Sequence, residues 1–252
     1  MDISLIALLL IGAGAAFTQG FSGFGFGITF MAMLSLAGRD MERASVFVSI
    51  TVIMIVVTLL VMTRRQLRVD WKQAAYITTG LLITLPLGYR FILNYGDMPV
   101  SQIVLGVVLM LFAFNRMRKP HVKRHIPSLL APIFGMFSGI LSGAFSSGGP
   151  PVVMYLYSQE DDPRMAVGTA QAVFLGAGIY RLAVVMAGER GISEQLLVQS
   201  LLVGPVIVAA TILGARAARK FSVRPFLLAV YGLILFAGLL NIVRGLKNYF
   251  AV

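Results

Sequence analysis

The chain has 252 residues, of which 58% are hydrophobic and only 12% are charged, whereas about a quarter of an ordinary soluble domain is charged. With a mean hydropathy of +0.87, this composition excludes a disordered segment, a coiled coil and a nucleic-acid-binding domain, although the net charge is +11. It indicates a polytopic membrane protein in a lipid bilayer. Cysteine is absent and both histidines lie in one basic loop, so we expect no disulfide, no metal site and no cofactor.

Charged residues divide the chain into eight apolar stretches. Six of them have roughly the 20 residues that one membrane crossing requires, and these are 44–63, 73–89, 98–115, 165–187, 195–215 and 225–243. The other two, 3–37 and 126–158, are too long for one helix, and each contains a glycine-rich run that interrupts it. We predict that both are helix–break–helix hairpins, whose unwound backbone lies against protein or a wet cavity.

Two parts of the chain are similar to each other. Residues 98–118 align without gaps with 224–244, including matched proline, asparagine and arginine residues. This duplication predicts two domains, 1–119 and 120–252, each consisting of a hairpin and three transmembrane helices. If each hairpin returns to its starting side, 14 basic residues lie on one side and 6 on the other, against 12 and 8 if the long stretches cross once. Because basic loops favour the cytoplasm, we predict an all-α polytopic membrane protein of two inverted repeats.

The two breaks have a distinctive pattern. The first reads Gly20-Phe21-Ser22-Gly23-Phe24-Gly25-Phe26-Gly27, and the second contains Ser146-Ser147-Gly148-Gly149-Pro150-Pro151. Gly-Gly-Pro-Pro after a segment rich in serine and glycine is uncommon, and over essentially its whole length the chain resembles the TauE/SafE family of sulfite and organosulfonate exporters. The resemblance implies a multi-pass carrier in the inner cell membrane. It also implies that the carrier exports small sulfur-containing or related carboxylate anions and catalyses no reaction.

The breaks suit an anion independently of this resemblance. A half-helix that begins in a break presents free N–H groups and the positive end of its dipole, and glycine lets an oxyanion approach that backbone. Close packing of helices is the alternative role for the glycines. The predicted substrate-binding residues in the breaks are Ser22, Gly23, Phe24, Gly25, Phe26, Gly27, Ser146, Ser147, Gly148, Gly149 and Pro150.

Two polar residues in the stretch 165–187 complete the predicted site. Gln171 lies near the expected midplane, where its amide can donate to the substrate. Arg181 lies six residues before Ala187, which is about 9 Å from the helix end. Its side chain therefore either extends to the membrane interface or faces the bundle, where it attracts the anion.

Other functions explain the sequence less well. Gly20-Phe21-Ser22-Gly23 matches the motif of intramembrane serine proteases, but such a serine needs a base beside it, and both histidines lie in the loop 116–125. An anion channel needs a lined pore, and the sequence has no charged ring. We interpret the basic loop as a contact with anionic lipid headgroups. A carrier of small anions remains the preferred hypothesis, with an anion channel or a carboxylate carrier as the alternative.

No aspartate or glutamate lies inside any of the eight apolar stretches, so the carboxylate relay common in proton-coupled pumps is missing. We expect transport of a permanently ionised organosulfonate, such as sulfoacetate, to proceed without an imposed pH gradient. Initial rates in proteoliposomes with and without that gradient measure this. A strict requirement for the gradient would contradict the prediction.

Overall fold

The computed structural model describes residues 5–36, 41–64, 68–96, 98–118, 126–159, 162–188 and 191–250. Within these ranges the chain forms ten α-helices, and one 3₁₀ turn, Ser128–Leu130, precedes the sixth helix. The helices are α1 (Leu5–Ser22), α2 (Phe26–Leu36), α3 (Met41–Thr63), α4 (Trp71–Tyr95), α5 (Pro99–Arg118), α6 (Ala131–Phe145), α7 (Gly149–Gln159), α8 (Pro163–Ala187), α9 (Glu194–Ala217) and α10 (Val223–Phe250).

Seven helical segments in the described part of the chain are long and apolar enough to cross a membrane. They comprise all of α1, α3, α4 and α9, α6 together with its preceding turn, and most of α8 and α10. The apolar part of α5, Pro99–Asn115, is shorter. These helices confirm the prediction of an all-α polytopic membrane protein. Each of the two longest apolar stretches is divided by a break, between α1 and α2 and between α6 and α7.

Side-chain caps set the starts of three long helices. Asp70 Oδ1 accepts a hydrogen bond from the first turn of α4, and Asp162 Oδ1 does the same for α8 at 2.9 Å. Ser193 Oγ caps α9 in the same way. These side chains satisfy N–H groups that have no acceptor within the helix, so the helices begin two or fewer residues from the predicted bounds of their apolar stretches.

Glycine-lined faces join helices from the two halves of the chain. Helix α4 packs against α6, α1 against α9, and α5 against α10. At Gly80, an added Cβ would overlap the carbonyl oxygen of Pro132, and at Gly20 it would overlap the carbonyl oxygen of Thr211. The absence of a side chain therefore lets these backbones touch, as in other tightly packed membrane helices.

The order of the contacts gives the relative directions of the helices. Along α4 and α6, Gly80 lies against Pro132 and Gly88 lies against Ile140, so these two helices run parallel. Helices α1 and α9 are also parallel, since Gly12 lies beside Ile207 and the later Gly20 against Thr211. Helices α5 and α10 are antiparallel, since Gly106 lies against Gly238 and the earlier Ile103 lies against Gly245.

Helices α3 and α8 are antiparallel, since Arg181 bonds to Ser45 and the earlier Gly178 lies against Ile53. Consecutive long helices joined by short connections run in opposite directions. By this rule α3 is antiparallel to α4, and α8 is antiparallel to α9. Together with the contacts above, this makes α1 parallel to α3 and α6 parallel to α8. Helices α2 and α7 must then bring the chain back to the side of the bundle on which each hairpin starts. The arrangement supports the predicted inversion of the repeats.

The division at residue 119 and the lipid contacts of the basic loop stay predictions, since residues 119–125 lie outside the described ranges.

We expect Gly80→Ala to destabilise the protein, because the new Cβ would overlap the backbone of α6. Overpacking of this kind lowers the free energy of unfolding by about 1–3 kcal/mol, which lowers Tm by several degrees. Thermal unfolding of the purified protein, followed by tryptophan fluorescence, measures the change. Gly232→Ala is the matched control: a Cβ there has nothing within 4 Å, and alanine favours the helix. Equal Tm values for the two variants would contradict the packing argument.

Candidate functional site

The first break depends on two glycines with left-handed backbone. Gly23 has φ +82° and Gly25 has φ +107°, values that residues with a Cβ rarely adopt. The amide of Gly23 donates to the carbonyl of Gln19 at 2.7 Å and ends α1. The side chain of Gln19 then caps the next helix, because its Oε1 accepts from Phe26 N–H at 2.9 Å. Gln19 therefore stabilises both sides of the first break, because its backbone carbonyl ends α1 and its side chain caps α2.

The second break depends on a left-handed serine. Ser146 has φ 50°, and the N–H groups of Ser146 and Ser147 donate to the carbonyls of Ser142 and Leu141, so a left-handed C-cap with a 5→1 bond ends α6. The hydroxyl of Ser146 donates to Ser45 O at 2.8 Å and lies 3.0 Å from Ser49 Oγ. A residue other than glycine in this conformation costs free energy. The bonds of Ser146 Oγ to α3 offset that cost, which explains why serine and not glycine occupies this position.

The two breaks touch each other. Gly27 lies so close to the carbonyl oxygen of Ser146 that a Cβ would overlap it. Beside this contact is a cavity of about 60 Å³, which exceeds the roughly 10–15 Å³ that one water molecule requires. The described residues that line it come from α1, both breaks, α2, α3, α6, α7 and α8, and they are Gln19, Gly25, Gly27, Ile28, Ser49, Val52, Ser142, Ser146, Ser147, Gly148, Gly149, Pro150, Phe174, Ala177, Gly178 and Arg181.

Several backbone donors in this lining have no acceptor among the residues that the structure describes. No described residue accepts a hydrogen bond from the N–H groups of Gly25, Gly27, Ile28 or Gly148. The first three belong to the start of α2, and Gly148 directly precedes α7. The N-terminal ends of two half-helices, each with a positive dipole end, therefore face one cavity. Such ends are ready-made sites for anions.

Gln19 adds a side-chain donor to this lining. It is 2% exposed, and its Nε2 has no hydrogen-bond partner among the described residues. Since Oε1 already accepts from the backbone, Nε2 is the uncommitted atom of the amide. A buried amide without a partner costs free energy, so its place in the cavity wall is typical of a group that meets a ligand.

Arg181 supplies positive charge beside the second break. Its guanidinium is 2% exposed and donates to Ser45 O at 2.7 Å, to Gly143 O at 2.9 Å and to the hydroxyl of Ser49. The side chain therefore faces the bundle and does not extend to the interface, which excludes one of the two predicted orientations. Within the described part of the chain, its partners are neutral acceptors and the ring of Tyr89, 6.0 Å away. A buried charge without a counter-charge is costly, and an anion bound in the cavity would offset that cost.

The predicted site residues fall into three places. Gly25, Gly27, Ser146, Ser147, Gly148, Gly149, Pro150 and Arg181 line the cavity between the breaks. Ser22, Gly23 and Gln171 line a second cavity of about 220 Å³ on the other side of the first break, where Gln171 Nε2 bonds to the carbonyl of Gly23. Phe24 and Phe26 are buried in packing contacts with Phe112 and Phe30.

The hydroxyl donors predicted for the substrate are engaged elsewhere. Ser22 Oγ lies within hydrogen-bonding distance of the carbonyls of Thr18 and Phe24 and can donate to either one. Ser147 Oγ donates to the carbonyl of Phe145, and Ser146 Oγ donates to that of Ser45. Carbonyls are not bases that activate a serine, so these contacts do not favour a hydrolase. Sequence reasoning missed Gln19, although it is the one carboxamide in the stretch 3–37. It also missed Ser49 and Ser142, which no local pattern distinguishes.

Comparisons with known proteins identify the family of the chain. The family described as "Sulfite exporter TauE/SafE" matches residues 8–240. A curated protein of Cupriavidus necator, described as "Probable sulfite/organosulfonate exporter TauE", is 26% identical over 216 residues, which cover 84% of this chain and 83% of the relative. No solved structure matches the chain. The family match confirms the resemblance that the two breaks indicate.

We expect Gly27→Ala to separate the two breaks, because its Cβ would overlap the backbone of Ser146. The variant should lose about 1–3 kcal/mol of unfolding free energy, measured by thermal unfolding. Gly149→Ala is the matched control in the other break, since its Cβ would lie 3.6 Å from the ring of Phe174, an ordinary contact. A Gly27→Ala protein as stable as Gly149→Ala would show that the breaks need not touch.

Proposed function

The chain belongs to the sulfite exporter TauE/SafE family, and we propose that it exports small sulfur-containing anions, such as sulfite or organosulfonates, across the inner membrane. We infer that the substrate binds in the cavity between the two breaks. The observation that carries this proposal is the convergence of free backbone N–H groups, the Gln19 amide and the Arg181 charge on one cavity. All of them favour an anion.

Several features of the cavity support an anionic sulfur substrate. Among the described lining residues there is no carboxylate, so no negative charge repels an anion there. Glycines at the breaks let oxyanion oxygens reach backbone N–H groups. The apolar part of the wall, formed by Ile28, Val52 and Phe174, keeps the dielectric constant low and strengthens these interactions.

The directions of the helices support a carrier. The hairpins start from opposite sides of the bundle, and their breaks meet beside the cavity. In transporters built from inverted repeats, substrate binds where broken helices of the two repeats meet, and the repeats move against each other. We therefore propose alternating access to one central site and no catalytic reaction.

Transport by purified protein in proteoliposomes tests the proposal. The substrates to compare are sulfite, thiosulfate, sulfoacetate, taurine and simple carboxylates. Saturable flux of at least one sulfur anion, with counter-transport from the opposite side, is the expected result. A current that rises linearly with driving force would indicate a channel. Flux of carboxylates alone would indicate a carrier with a different substrate class.

We expect Arg181→Gln to weaken substrate binding, because it removes the positive charge beside the cavity. A unit charge acting over roughly 8 Å at an effective dielectric constant of about 20 contributes about 2 kcal/mol, or roughly thirtyfold in affinity. Arg181→Lys, which keeps the charge and loses the planar contacts with α3 and α6, should give an intermediate affinity. The measurement is the KM of sulfite transport.

Arg216→Gln is the matched control for charge, since Arg216 is exposed near the end of α9 and outside the cavity. Thermal unfolding establishes that each variant is folded. A folded Arg181→Gln protein with the KM of the wild type would contradict an electrostatic role for this residue.

A further inference from the structure

The amide of Gln19 is held in a single orientation. Phe26 N–H lies 2.9 Å from Gln19 Oε1, and a backbone N–H can only donate. The side chain must therefore present its oxygen to Phe26 and its nitrogen to the other side. The two N–H bonds of Nε2 have no acceptor in the described part of the chain, and Gln19 lines the cavity between the breaks.

The described lining contains further donors besides Gln19 Nε2, namely the backbone N–H groups of the two half-helix starts. Two of its acceptors are already engaged, since Gly148 O accepts from Ser138 Oγ at 2.7 Å and Ser49 Oγ accepts from Arg181. The hydroxyl of Ser142, which also lines the cavity, can donate or accept. No described lining residue carries a carboxylate. Donors therefore predominate among the uncommitted polar groups of the described lining, which favours a ligand whose exposed oxygens all accept and none donates.

Oxyanions differ in this property. A sulfonate group, thiosulfate and fully ionised sulfite present only accepting oxygens. Inorganic phosphate near neutral pH keeps at least one P–OH group, which must find an acceptor when it is buried, since an unsatisfied buried donor is costly. The two classes have similar size and charge, so hydrogen-bond polarity is the feature that separates them.

Building on the proposed function, we propose that Gln19 is a specificity-determining residue of the transporter. Its Nε2 donates to an oxygen of the bound sulfur oxyanion, and with the backbone N–H groups it selects oxyanions without a protonated oxygen over inorganic phosphate. Its Oε1 has the separate structural task of holding the start of α2.

Gln19→Glu separates the proposed role of Nε2 in substrate binding from the structural role of Oε1 at the start of α2. The carboxylate can still accept from Phe26 N–H, so the start of α2 keeps its cap. The second oxygen replaces the Nε2 donor with a charged acceptor in the cavity, which opposes a sulfur oxyanion and offers a partner to the P–OH group of phosphate. If Gln19 only capped α2, the Gln19→Glu substitution would change the transport of thiosulfate and of phosphate to the same extent.

Counterflow in proteoliposomes, with radiolabelled thiosulfate and phosphate as probes, tests the proposal. Wild-type protein should prefer thiosulfate. Gln19→Glu should weaken thiosulfate binding at least tenfold, because a hydrogen bond to a charged group is lost, and should lower the thiosulfate-to-phosphate ratio of kcat/KM at least tenfold. Gln195→Glu, which adds the same charge at an exposed position of α9, should leave the ratio unchanged.

The other possible results test the specificity role of Gln19 and the proposed function separately. Wild-type protein that carries phosphate as well as thiosulfate, or a Gln19→Glu protein with an unchanged ratio, overturns the specificity role while the proposed function stands. Wild-type protein that carries no sulfur oxyanion overturns the proposed function itself. If Gln19→Glu does not fold, Gln19→Met is measured instead, and a thiosulfate affinity equal to that of the wild type, per folded protein, overturns the inference.

Discussion

Contact between the start of α2 and the second break is the constraint on which the rest of the structure depends. Gly27 lies directly against the carbonyl of Ser146, and this contact brings the starts of α2 and α7 to one cavity. Each break interrupts an apolar stretch, where free backbone groups are costly unless protein, water or a ligand satisfies them. The glycine-lined contacts of α1 with α9 and of α4 with α6 hold the hairpins in place, because each joins the first helix of one hairpin to a long helix of the other half.

The unwound backbone obtains its partners from a few polar side chains inside otherwise apolar helices. Gln19 and Ser138 bond to backbone groups of the first and second break, and Gln171 reaches the first break from α8. These bonds consume some donors and leave others free. The proposal of an anion site therefore rests on which polar groups remain unpaired among the described residues, and not on the glycine content itself.

Sequence alone predicts the features that depend on local composition. The glycine-rich runs mark both breaks because glycine and proline interrupt helices. The apolar stretches give the starts of the long helices to within about three residues, but α4 and α10 continue past the predicted ends at 89 and 243 to Tyr95 and Phe250. The partners of Arg181 are different: Ser45 lies 136 residues away along the chain, and only tertiary packing brings the two together. The sequence suggests Ser146 and Ser147 as backbone N–H donors for a ligand, but the left-handed C-cap of α6 uses both N–H groups, and this cap depends on the single φ angle of Ser146.

Arg181 differs from the rest of the cavity wall in one respect: its five N–H bonds are all directed to Ser45, Ser49 and Gly143. A guanidinium whose donors are occupied still exerts its field, which falls off slowly with distance and does not depend on the shape of what it attracts. In the proposed site, attraction and discrimination of the substrate therefore belong to different groups. On this proposal the arginine attracts any small anion and the amides select among them, so substitutions near the amides would change the substrate without weakening the attraction.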